Sequence, residues 1–102
     1  MTTMQTISWI FLATALATST KPTNISGISS VADGINHAIP TQKELQTSIS
    51  WLIKQGFILK QSKNYELTTK GKIEYEKASK NTQILMSIWK KIEMNFNLYK
   101  NN

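Results

Sequence analysis

Cysteine and arginine are both missing from this chain of 102 residues, and only four glycines and two prolines interrupt it. Without cysteine there are no disulfides, thiolate metal centres or cysteine nucleophiles. Its absence leaves the redox compartment open, because a cytoplasmic protein needs no disulfides. Without arginine all twelve cationic side chains are lysines, set against six acids for a net charge of +6. That balance favours polyanionic partners. Lysine reads phosphate as a point charge and lacks the planar fork with which arginine reads guanine. An AT-rich coding sequence would produce the same bias towards lysine, asparagine and isoleucine.

Chemistry-bearing residues are equally sparse. His37 is the single histidine, so it builds neither a metal site nor a triad, and its place after a helix suits C-terminal capping. Asp33, Glu74 and Glu76 read as solvated helix faces. There is no glycine-rich phosphate loop. No nucleophile, base and orienting group can be assembled. The expectation is a protein that is not an enzyme, with no catalytic residue, no metal, no cofactor and no small-molecule effector.

Long hydrophobic runs are missing too. The strongest, "ISWIFLATALA" from Ile7, is too short and too interrupted by threonine to span a bilayer. It resembles a signal-peptide core, and Ala15-Leu16-Ala17 mimics a cleavage site. Yet no positive side chain precedes Lys21, where a secretory signal starts basic. On a helical wheel Met4, Ile7, Ile10, Phe11 and Ala15 share one side, and Trp9, Leu12 and Leu16 the other. A helix apolar on two sides is buried on two sides, so this segment reads as a central helix of a cytoplasmic domain.

What is present is a sequence of well-punctuated elements. Pro22 breaks the first helix. Ile25, Ile28, Val31, Ala32 and Ile35 then repeat at helical spacing, with Thr23 or Asn24 able to cap and Asn36-His37 ending the run. Thr41 and Glu44 match a capping box, starting a third helix that runs to about Gln55, where Gly56 supplies a left-handed stop. Two short strands, 57–61 and 65–68, flank a Ser62-Lys63-Asn64 tip in which Asn64 is expected to take the left-handed position. Thr68 or Thr69 caps a fourth helix whose inner side is expected to be Ile73, Tyr75 and Ala78. A last helix over about 83–98 carries Ile84, Leu85, Ile88, Trp89, Ile92, Phe96 and Tyr99 within an arc of roughly 140°.

Helix, helix, turn, capped helix, hairpin, helix is the order of a winged helix-turn-helix. The segment Leu52-Ile53-Lys54-Gln55-Gly56-Phe57-Ile58, followed by Tyr65-Glu66-Leu67-Thr68-Thr69-Lys70-Gly71, resembles the wing region of small bacterial regulators of the MarR and PadR kind. The resemblance covers about residues 24–76. It implies a mainly α fold with a small β-hairpin: a winged helix-turn-helix domain over 1–80, followed by a packing or dimerisation helix and tail over 81–102. It departs from that pattern at "NHAIP", which is longer than the usual tight turn, and no sensor domain follows.

The resemblance also implies a function, transcriptional regulation by binding double-stranded DNA as a homodimer. The outward face of the third helix would enter the major groove. Gln46 would pair with adenine and Thr47 with a thymine methyl, beside Ser50. Lys43, Lys54, Lys60, Lys63 and Asn64 would hold the backbone or the wing-tip contacts. Ile84, Ile88, Trp89, Ile92 and Phe96 are assigned to a dimer interface, although the same stripe could fold back on the first helix of its own chain. Winged helices also serve as protein-interaction modules with no DNA role, and RNA is a third open partner. The lysines of the last helix leave a membrane-surface role as a weaker option. Lysines gathered along the third helix and wing favour nucleic acid; an apolar or acidic face there favours protein.

Overall fold

A computed structural model of the chain describes residues 1–100, and of Lys100 the backbone alone. Helix α1 (Thr3–Ala17) is followed by α2 (Ile25–Asn36), α3 (Gln42–Lys54), strands β1 (Ile58–Gln61) and β2 (Asn64–Leu67), then α4 (Thr69–Ser79) and α5 (Leu85–Lys100). The architecture is mainly helical, with one antiparallel two-stranded hairpin. No helix among the described residues is long and apolar enough to cross a membrane.

Helix α1 is the centre of the fold. Its capping box closes through Thr2 and Gln5, each backbone N–H donating to the other's side chain at 2.7 and 3.1 Å. Both of its apolar sides are buried: Met4, Ile7, Ile10, Phe11 and Ala15 on one, Trp9 and Leu12 on the other. Its interior polar groups are satisfied locally. The hydroxyls of Ser8 and Thr14 donate to the carbonyls of Met4 and Ile10, at 2.7 and 2.8 Å. Such back-bonding removes the cost of burying a hydroxyl. Helices α2, α3 and α5 all pack on α1. Trp9 Nε1 donates to the carbonyl of Ala32 on α2, and Trp89 Nε1 on α5 donates to the carbonyl of Gln5, both at 2.9 Å.

The amphipathic stripe of α5 is therefore covered within its own chain. Ile88, Ile92 and Phe96 are buried there, Trp89 is half-buried with its ring 6.2 Å from that of Trp9, and all belong to or pack on the same core as α1. Of the residues assigned to a dimer interface, Ile88, Ile92 and Phe96 thus pack within their own chain, the fold-back alternative, and Trp89 does so in part. Ile84 departs differently. The helix begins at Leu85, and Ile84 lies before it, 65% exposed, with its N–H donating to the Thr82 hydroxyl at 3.1 Å.

Local punctuation behaves as its chemistry demands. Asn24 caps α2 by accepting from the Gly27 N–H at 3.0 Å. His37 ends it in the left-handed region, φ 55°, donating its N–H to the Asp33 carbonyl at 2.7 Å. Thr41 and Glu44 close a second capping box. At the far end of α3, Gly56 (φ 83°) donates to the Ile53 carbonyl and Phe57 to the Leu52 carbonyl, the paired bonds of a Schellman motif. The hairpin tip differs from expectation. Asn64 is paired with Gln61 in the register, so the turn has two residues, Ser62 and Lys63. Its left-handed residue is Ser62, φ 60°. A tight hairpin with the strands' right-handed twist needs positive φ at its first central position, which falls on serine here.

Helix α4 keeps Ala78 and Tyr75 on its inner face as expected but departs at Ile73. Thr68 caps it, accepting from the Gly71 N–H at 3.0 Å. Its buried side is Gly71, Glu74 and Ala78, while Ile73 is 50% exposed. Glu74, expected on a solvated face, is only 4% exposed. The cause is Gly71: a Cβ there would collide with the Phe57 carbonyl oxygen and touch the Leu67 side chain. The helix lies so close to the hairpin at Gly71 that its orientation is fixed, and Glu74, one turn on, turns inwards with it.

The core culminates in an aromatic cluster. Phe96 lies 5.1 Å from Phe11, 4.8 Å from Phe57 and 5.3 Å from Trp51, centroid to centroid. One ring on α5 thus joins α1, α3 and the start of the hairpin. Phe96→Ala is expected to cost about 3–5 kcal/mol, as for other buried aromatic truncations. Urea unfolding followed by tryptophan fluorescence measures it, and a loss below about 1 kcal/mol would contradict the keystone role of this ring.

Candidate nucleic-acid interface

The geometry of this site begins at the end of α3. The Schellman stop at Gly56 reverses the chain directly into β1, so the hairpin stands beside the helix it follows. The base of the hairpin is then held from both sides. Thr23, in the segment entering α2, exchanges backbone hydrogen bonds with Tyr65 at 3.1 and 2.7 Å, adding a third strand position. The Thr68 hydroxyl donates to the Gly56 carbonyl, tying the end of the hairpin to the end of α3.

A lysine completes this corner. Lys70 Nζ donates to the Gln55 carbonyl at 2.8 Å and lies 4.7 Å from the Phe57 ring centroid and 5.1 Å from that of Tyr99. A cation here meets the partial negative charge at the end of α3 and two aromatic faces. Lys70 is a structural clamp, unlike the lysines projecting from α3 and the hairpin.

All eight residues expected at the interface are solvent-exposed: Lys43, Gln46, Thr47, Ser50, Lys54, Lys60, Lys63 and Asn64. The structure does not gather them at one point. Gln46, Ser50 and Lys60 line one groove of about 440 Å³ between α3 and the hairpin, with Gln42, Tyr65 and the isoleucines 25, 49 and 53. Lys43 and Thr47 lie on the other flank of α3, around a hollow of about 200 Å³ that includes Thr3 and Thr6 of α1. Lys54, Lys63 and Asn64 line neither hollow.

Register explains why Lys60 joins the groove. It pairs with Tyr65 across the hairpin, so both project to the same face, and its Nζ sits 5.7 Å from the Tyr65 ring centroid. Lys60 thereby faces α3 across the groove.

Ile53 also lines the groove. Its apolar character places it with the core cluster of Leu45, Ile49 and Leu52, yet it is 40% exposed, and Ser48 is the buried residue instead. At 100° per residue, Ile53 stands only about 20° from Gln46 on the wheel. That angle, taken before side-chain polarity, was the available signal. Ile25 on the facing wall is 38% exposed. The face is basic at its ends and rim, and apolar in part of its floor.

Among the described residues no group of three or more histidines or acids could hold a metal ion. No protein-family model matches the chain, and neither a curated protein nor a solved structure matches it.

The clamp role of Lys70 is testable against its neighbours. Lys70→Met should lower stability by about 1 kcal/mol, the scale of one hydrogen bond with an exposed cation–π contact. Lys43→Met and Lys54→Met should stay within about 0.5 kcal/mol of the parent. Urea midpoints of the three variants give the comparison; equal midpoints would deny Lys70 its structural role.

Proposed function

We propose that this chain is a winged helix-turn-helix protein that binds double-stranded DNA, with α3 in the major groove and the β1–β2 hairpin as the wing. The observation that carries the reading is the placement of four exposed lysines around one helix and its adjacent hairpin. Lys43 and Lys54 mark the two ends of α3, and Lys60 and Lys63 the hairpin. Cations at those positions match phosphates flanking a groove that a helix enters. The element order supports the same reading, as does the hairpin base bonded to the segment before α2. The net charge of +6 gives the long-range attraction.

Transcriptional regulation follows as the biological role of such a module. Two copies on one duplex would have to meet through a surface other than the filled Ile88–Ile92–Phe96 stripe. A protein-interaction role is the second reading. It is favoured by one observation, the exposed isoleucines 25 and 53 in the floor of the groove.

Fluorescence anisotropy with duplex DNA at two salt concentrations separates these readings. Binding should weaken steeply with salt. Replacing Lys43, Lys54, Lys60 and Lys63 by alanine should weaken binding to every sequence, and each single replacement should reduce the salt slope by about one. Gln46→Ala should instead alter sequence preference, by about 1–3 kcal/mol at one base pair. A quadruple variant with unchanged affinity would refute the assigned face.

A further inference from the structure

We infer that Ile53 is a specificity-determining residue that takes the C5-methyl of thymine, so that the preferred DNA is rich in A·T pairs read from the major groove. This rests on the DNA-binding reading and deepens it. Three observations converge. First, the chain has no arginine, so the strongest reader of guanine is missing from every surface it could present. Second, Gln46 of α3 lines the same groove as Ile53, and its amide matches the N6 donor and N7 acceptor of adenine. Third, Ile53 lies beside it on the same face, two turns on, with its side chain 40% exposed and Ser50 between them.

A part-exposed isoleucine near the C-terminal end of α3, in the floor of that groove, would be a liability against phosphate or a cytosine amino group, both of which lose hydration on contact with it. The thymine methyl is the one apolar group that the major-groove edges present. Residues 46, 50 and 53 recur at the spacing of one helix face. Over that span the helix rises about 10 Å, the length of about three base pairs. Lys60 across the groove supplies a cation at its rim, which suits an apolar base contact flanked by backbone.

The test compares three duplexes of equal length by anisotropy: one of mixed A·T sequence, the same duplex with every thymine replaced by deoxyuridine, and one of G·C pairs only. The intact protein should bind the thymine duplex most tightly. Loss of the methyls should weaken binding by about threefold to fourfold for each one contacted, the scale of one buried methyl group. In a Thr47→Ser background, which removes the other methyl-reading candidate on α3, Ile53→Ser, an exposed change checked by its thermal melt, should bind the thymine and uracil duplexes equally. Equal binding of those two duplexes by the intact protein would overturn the inference and leave the DNA-binding reading standing. So would a preference for the G·C duplex, or a thymine preference that survives Ile53→Ser in that background. No binding to any duplex would remove the DNA-binding reading and this inference with it.

Discussion

Burial of α1 on both of its apolar sides is the constraint on which the rest of the molecule depends. The helix carries no charge from Thr3 to Ala17, and its apolar side chains point in every direction. Three helices are needed to cover it, and α2, α3 and α5 do so. Its hydroxyls bond back to its own carbonyls. The two tryptophan N–H groups that reach across its interfaces each find a carbonyl. Unpaired, each buried polar group would cost on the order of 1–3 kcal/mol. The covering of α1 also decides where α5 goes, since only that helix offers a stripe to close the remaining side.

Around this centre, a small corner sets the geometry of the outer face. Gly56 turns the chain, Thr68 and Lys70 tie the far side of the hairpin back to the last carbonyls of α3, and Gly71 lets α4 sit against Phe57. The hairpin is thus braced by short polar bonds and by aromatic packing on Phe57. A face built of α3 and the hairpin is consequently rigid at its junction. A preformed surface of this kind loses little conformational entropy on meeting a partner. Its mixture of lysine rim and isoleucine floor distinguishes it from a purely electrostatic patch.

The helix-breaking and capping residues were legible because they act locally. Thr41 with Glu44, Gly56, and Asn24 satisfy backbone groups within a few residues of themselves, so no distant contact overrides them. The turn at Ser62 was misplaced because serine rarely takes positive φ and asparagine does so more readily. Strand pairing, which put Asn64 opposite Gln61, outweighed that preference. The exposure of the lysines on α3 and the hairpin was legible in the sequence; that of Ile53 was not, because its apolarity argued for the core.

By itself, then, the sequence determined the elements, their order and most of their ends, because periodicity and caps are properties of neighbouring residues. It also determined that α1 is central, since no surface helix is apolar on both sides. Only the tertiary structure decided that the α5 stripe closes on α1 of its own chain, that Glu74 turns in while Ile73 turns out, and that Ile53 is left part-exposed. A helical wheel gives the angles between side chains but not the direction of the core. That direction is set by which surfaces meet, here by the close approach at Gly71 and by the side of α1 that α2 and α3 left open.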